Sequence, residues 1–148
     1  MSYPQSLIYL QESQYWSLQQ TSVTSVCRVS PTSATDVSAA LLVLELQNCP
    51  FAVKSGGHAT FAGGSNIPGG ITIDLVNLNE IVVSSDQTET SVGPGNGWSD
   101  LYSRLDALGL SVIGGRVADI GVGGLTLGGG ISFFSGRYGL ACDNVNNC

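Results

Sequence analysis

Two stretches of this chain are so rich in glycine that the remaining residues must be arranged around them. Lys54 to Gly70 reads KSGGHATFAGGSNIPGG, and Gly114 to Gly130 reads GGRVADIGVGGLTLGGG. They hold six and eight of the twenty glycines, fourteen in all, so backbone exposure is concentrated in two places rather than spread over loops. Glycine loses more conformational freedom on folding than any other residue; what it offers is φ > 0 and close approach of main-chain N–H groups to a ligand. Two such clusters call for one common cause, and a phosphate-bearing dinucleotide held by both is the expectation. His58, the only histidine, stands in the first stretch, where its imidazole is placed to react with what the glycines hold.

Charge narrows the partners. The net charge is −6 and Lys54 is the sole lysine, which excludes the broad basic face that a nucleic-acid binder needs. An anionic cofactor would have to be held by main-chain N–H groups and helix N-termini, which the glycine stretches supply. Cys27, Cys49, Cys142 and Cys148 form no C-x-x-C pair, and with one histidine no metal site is expected; the cysteines read as ordinary core residues. The N-terminus lacks a basic start and an uninterrupted apolar run, so no signal peptide and no membrane partner are expected, and localisation stays open.

With 148 residues, the chain is expected to form one domain, or one piece of a larger one. Residues 1–22, rich in Gln and Ser with Tyr9, Tyr15 and Trp16 interspersed, read as a docking segment; residues 23–148 form the domain. β-branched residues predict a strand over Val23–Val29. Ser33 with Asp36 makes a capping box, and Val37, Ala40, Leu41 and Leu44 share one apolar helical face. Pro50 ends that helix, and Phe51–Lys54 reads as a short buried strand, which completes a βαβ unit of parallel strands. Ligands of such units gather at the carboxyl ends of the strands, where the first glycine stretch begins. Ile71–Val76, Ile81–Ser84 and Glu89–Gly93 predict a small antiparallel sheet. A second helix lies within Asn96–Gly109, with Leu101, Leu105 and Leu108 on one face, an Asp100–Arg104 pair, and Gly109 at its end. Leu110–Ile113 predicts a further strand into the second glycine stretch.

Neither familiar phosphate motif is present: there is no G-x-x-x-x-G-K-[ST], and Thr126 stands where G-x-G-x-x-G needs glycine. What does occur, in order, is KSGGH at 54–58, GRVADIGVGGLTLGGG at 115–130 and RYGLACDNV at 137–145. In this combination the chain, from about Val26 to Val145, resembles the berberine-bridge-enzyme-like FAD-linked oxidases of the vanillyl-alcohol-oxidase superfamily. The resemblance implies an α+β, PCMH-type FAD-binding domain: a βαβ unit followed by a mixed or antiparallel sheet with helices. It implies FAD as cofactor, with Ser55, Gly56, Gly57, His58, Ala59, Thr60, Gly121, Gly123, Gly124, Thr126, Gly128 and Gly129 as its contacts, largely through main-chain groups. In that family the histidine of S-G-G-H is bonded to the 8α-methyl carbon of the flavin, which by motif match implicates His58. The activity implied is oxidation of an alcohol, sugar or amine-type small molecule by hydride transfer to flavin, with O₂ as acceptor.

The chain departs from the family pattern twice. Doubly linked members carry a cysteine three residues before the hydrophobic residue of I-G-V-G-G; Val117 stands there and cannot form a thioether, so a single link is expected. Members usually continue for several hundred residues beyond D-N-V, so the chain is expected to be a truncated flavin domain without the substrate domain or the usual catalytic tyrosine, and no catalytic residue is assigned. A flavin-binding module without turnover is the alternative, and a β-rich interaction protein with glycine turns a third. Arg116 and Asp119 are read as cofactor neighbours or as an exposed turn with a local ion pair. Asp74 and Glu80 are expected to cap asparagine turns, Tyr102 and Tyr138 to pack on a helix face and in a loop, and Trp98 to open a helix in the core.

Overall fold

Two short helices open the computed structural model, which describes residues 1–148: α1 (Leu7–Glu12), capped by the Ser6 hydroxyl, and α2 (Leu18–Thr21). The first strand, β1 (Cys27–Val29), is shorter than the β-branched run predicts. The residues before it spend their backbone groups elsewhere: Val26 N–H donates to Gly70 O, and the Val23 carbonyl accepts from Asn66 Nδ2. Helix α3 (Ala34–Leu46) follows, with the Ser33 hydroxyl accepting from Asp36 N–H. Its capping box is displaced by one residue, because the Asp36 carboxylate turns back to Thr32 N–H and Oγ rather than to Ser33. The inward face is the expected one; Leu44 is buried, with Val37, Ala40 and Leu41 half-buried beside it.

β2 (Phe51–Lys54) and β3 (Ile71–Asp74) complete a three-stranded parallel sheet in the order β1-β3-β2, with Cys27 and Phe51 both in register with Ile71. The βαβ unit is present, but β3 is inserted between its two strands. This corrects two expectations. Phe51 and Val53 are exposed rather than buried, and Ile71–Asp74 belongs to the parallel sheet rather than to an antiparallel one. Thr72, Ile73 and Asp74 are all fully buried, as befits a strand covered on both faces. The predicted alternation carried no information about which strands it would join.

A 3₁₀ turn at Leu75–Asn77 then redirects the chain into a hairpin of β4 (Ile81–Val83) and β5 (Thr90–Val92), the whole of the antiparallel sheet. Helix α4 (Trp98–Asp106) lays Trp98, Leu101 and Leu105 against that hairpin, and these three form the core of this half of the molecule. Leu108 is largely exposed, and Gly109 takes the left-handed conformation as Leu110 N–H donates back to Leu105 O. Asp100 does not pair with Arg104; its carboxylate accepts from Gly97 N–H at 3.0 Å and so caps the helix. Leu110–Ile113 forms no strand and bends at Ile113, while Leu110 and Val112 pack on the α4 core. The second glycine stretch is not all loop, since Val122–Leu127 forms α5; α6 (Ser135–Tyr138) and a 3₁₀ turn at Cys142–Asn144 end the ordered elements. No helix is long and apolar enough to cross a membrane.

Candidate functional site

The first glycine stretch leaves the carboxyl end of β2 and is fastened at once to the second. Gly56 lies directly against Gly121: a Cβ on Gly56 would stand 2.6 Å from Gly121 Cα, and a Cβ on Gly121 would stand 2.7 Å from Gly56 Cα. Backbone meets backbone, so no side chain fits at either position. Ser55 Oγ donates to Pro94 O at 2.6 Å, and Gly97 forms an antiparallel bridge with Gly121. Three segments thus converge where two were expected. At Gly57 the chain is left-handed (φ 68°), and a Cβ there would come within 3.0 Å of both Tyr15 Cδ1 and Lys54 Cε; glycine is required on both counts.

His58 follows, half-buried, with its ring stacked on Trp16 at 4.4 Å between centroids and 21° between planes. The loop carrying it is clamped by the N-terminal segment. Gln20, fully buried, donates from Nε2 to Gly57 O (3.1 Å) and Ala59 O (2.6 Å), and its Oε1 accepts from Ser65 N–H (2.9 Å) and Ser65 Oγ (2.7 Å). Ser17 Oγ donates to Thr60 O at 2.8 Å, and Asn66 Nδ2 to Gln20 O at 2.6 Å. Residues 1–22 therefore dock as expected, but what they dock is the histidine loop. Nothing in the sequence marked Gln20: one glutamine in a Gln/Ser-rich segment shows no periodicity and matches no motif.

Under this loop lies a buried charge cluster at the ends of the parallel strands. Asp74 Oδ2 accepts from Arg28 and from Lys54, both at 2.8 Å, and Arg28 Nη1 donates to Tyr15 OH at 2.8 Å. Glu12 approaches Arg28 Nε at 3.6 Å. Asp74 also caps the 3₁₀ turn through Val76 N–H, the role expected of it, yet its larger part is to hold two cations inside the protein. Burial works against the Arg28 charge, but hydrogen bonds with Tyr15 and Asp74 outweigh it and raise its pKa further. Burial also pushes the Tyr15 phenol up, so it remains a neutral donor and acceptor well into alkaline solution.

On the other side of the junction, Gly124, Gly128 and Gly130 line an open hollow of about 320 Å³ with Val117 and Arg116. A second hollow of about 320 Å³ shares Arg116 and is walled by Phe133 and Phe134. A Cβ on Gly124 would meet nothing within 4 Å, so a flat ligand group can lie on that backbone. Arg116 is the one charged side chain lining either hollow; it is exposed and forms no salt bridge, which fits an anionic ligand and leaves Asp119 as a simple exposed turn residue. Gly121 and Gly123 belong to the junction instead, Gly123 lying close to Ser55 Oγ. Thr126 is on α5 and Gly129 turns the chain just after it at φ 95°. Tyr102 OH donates to Gly115 O at 2.8 Å, and burial raises its pKa. Tyr138 is on α6 rather than in a loop, and Trp98 begins α4 in the core as expected. All four cysteines are free, Cys27 buried and Cys142 and Cys148 exposed.

Residues 26–148 match the sequence model of the FAD-binding domain family. Among curated relatives, the chain is 44% identical over 133 residues to the FAD-dependent monooxygenase tpcD of Cochliobolus heterostrophus, covering 90% of this chain and 26% of the relative. It is 43% identical over 147 residues to an FAD-linked oxidoreductase of Arthroderma benhamiae, covering 97% and 29%. Among solved structures, 6-hydroxy-D-nicotine oxidase from Arthrobacter nicotinovorans superposes with a TM-score of 0.83 at 28% identity, over 96% of this chain and 31% of that one. A chitooligosaccharide oxidase shares the fold, with a TM-score of 0.84 at 23% identity, over 96% and 30%. The chain therefore spans between a quarter and a third of the length of these proteins, and the part they share with it is the α+β, PCMH-type domain described above. The chain belongs to the FAD-binding domain family.

Proposed function

We propose that this chain forms the flavin-holding part of an FAD-dependent oxidoreductase, with the flavin joined to the protein through His58 alone. The observation that carries this reading is the meeting of the two glycine stretches at Gly56 and Gly121, with His58 next to the junction and a glycine-lined hollow beyond it. When bound, FAD would accept a hydride from an alcohol, sugar or amine-type carbon and pass two electrons to dioxygen, giving hydrogen peroxide. His58 would supply the nitrogen of the link: an N–C bond to the flavin 8-methyl carbon replaces one N–H and one C–H bond, and the two electrons and two protons released reduce dioxygen by way of the same flavin. Ser55, Ala59, Thr60, Thr126 and the glycines at 56, 57, 121, 123, 124, 128 and 129 would bind through main-chain groups or shape the backbone that does. Arg116 is placed to offset the cofactor's negative charge. Val117, the position of the second attachment in doubly linked relatives, lines the hollow but has no nucleophile.

Reconstitution with FAD followed by acid precipitation tests this. Yellow colour should remain with the precipitated protein and be lost from a His58→Ala variant, and peptide mapping should place it on the peptide containing residue 58. Flavin retained on any other peptide would overturn the assignment.

A second reading, flavin binding without turnover, is favoured by one observation. The only titratable side chains lining the hollows are Arg116 and Tyr102, and the Tyr102 hydroxyl already donates to a carbonyl, so neither is a general base for hydride removal. Hydrogen peroxide release on adding alcohols, sugars and amines to the flavin-loaded chain separates the two readings.

A further inference from the structure

We infer that Gln20 and Trp16 are positioning residues for His58, so that the N-terminal segment, from outside the glycine motif, sets the direction in which the imidazole meets the flavin. This rests on the proposed role of His58 as the attachment point.

The two residues divide the task. Gln20 controls the backbone: its amide uses both N–H donors on Gly57 O and Ala59 O, the carbonyls on either side of His58, and both acceptor sites on Ser65. No position of that amide is left for water, and the residue is fully buried, so the Gly57–His58 and Ala59–Thr60 peptide planes, one before His58 and one just after it, are held from one fixed point. Trp16 controls the ring. Its indole covers one face of the imidazole, which limits approach to the ring edge and the opposite face. Trp16 is itself 65% exposed. Burying its own surface therefore does not account for its position, whereas the stack on His58 does. The two residues are joined by Ser17, whose hydroxyl ties the same segment to Thr60 O. Bond formation to a flavin carbon needs the reacting nitrogen within about 3–3.5 Å and aligned, and a misplacement of about 1 Å costs about a hundredfold in rate. A flexible S-G-G-H loop without this clamp would not meet that demand.

The sole histidine gives one set of imidazole C–H resonances, and a stacked indole displaces them upfield. We expect that displacement in the wild-type chain, and its loss in Trp16→Leu and in Gln20→Met, which keeps side-chain length but cannot hydrogen-bond. The rate at which acid-stable flavin forms should fall by about ten- to a hundredfold in both variants. Trp16→Leu, an exposed change, guards against a Gln20→Met protein that fails to fold. Variants that keep both the displaced resonances and the wild-type rate of attachment would overturn the inference. If wild-type protein forms no acid-stable flavin, the attachment reading fails by itself. The positioning of His58 is then judged on the resonances: their unchanged position in Gln20→Met overturns it, and their return to ordinary values supports it.

Discussion

At Gly56 and Gly121 a single methyl group decides whether the two halves of the chain can meet. Alanine at either position would force the other's backbone away, so Gly56→Ala and Gly121→Ala should each destabilise the fold by about 1–3 kcal/mol, read from urea unfolding midpoints. Gly124 is the contrasting case. It sits in α5 with open space where a Cβ would point, so Gly124→Ala should stabilise the protein by about 0.5–1 kcal/mol while weakening FAD binding, measured by flavin fluorescence titration. Equal or tighter binding in that variant would show that the flavin does not lie on this backbone. The buried carboxylate of Asp74 holds two cations at once, and Asp74→Asn would leave Lys54 without a carboxylate partner and Arg28 with Glu12 alone, costing about 3–5 kcal/mol; a change below 1 kcal/mol in the unfolding free energy would refute the pairing. The glycines and His58 were legible because their residue types are unusual in themselves. Gln20, Arg28 and Asp74 were not, since a buried polar residue is recognised by its partners, and these lie between 13 and 46 positions away in sequence.

Among the elements, the helices followed the sequence more closely than the strands. The α3 face was readable because a 3.6-residue period and a Ser33 cap are local signals; Ser33→Ala should cost about 1 kcal/mol. Asp36, held below the ordinary carboxylate range first by the Thr32 hydroxyl and also by the Thr32 and Ser33 backbone and side chain, supports that turn while ionised. Its contribution is complete above its unfolded pKa near 3.8 and is lost as pH falls through the lower folded value. The phenols act at the other end of the scale. Burial raises both Tyr15 and Tyr102 above the ordinary value of 10.0. Their stabilising contribution is complete below pH 10 and lost as pH rises through the folded values. Alkaline titration at 295 nm should show Tyr15 and Tyr102 ionising late, together with a drop in melting temperature, and Tyr15→Phe should remove one late step. The strands were harder to read because pairing partners are set by contacts distant in sequence. Ile71–Asp74 alternates like any half-buried strand, yet it lies between β1 and β2, and the 3₁₀ turn at Leu75–Asn77 separates it from the β4–β5 hairpin.

Over the whole molecule, large apolar side chains remain uncovered, with Leu127 88%, Phe133 83% and Leu46 77% exposed, and β2 is an open edge. Unpaired edges and apolar surface of this kind promote association. The chain should bind a hydrophobic dye in its native state, and its sedimentation coefficient should rise with concentration; an ideal monomer at all concentrations would contradict this. Excess FAD should raise the melting temperature in proportion to its differential affinity for the folded form. A His58→Ala chain should still show part of that shift, because in the proposed reading the glycine backbone, not the imidazole, provides reversible binding.

By itself the sequence determined where glycine was indispensable, where α3 would start, and, through the order of its motifs, the family. Each of these depends on residue type or on spacing within a few turns of chain. The tertiary structure decided that β3 would divide the βαβ unit, that Asp74 would gather Arg28 and Lys54, and that a segment read only as a docking arm would grip the His58 loop. Those outcomes depend on which buried polar groups find partners across the fold. An unpaired group costs about 1–3 kcal/mol, so packing selects the pairing, and one-dimensional spacing does not record it.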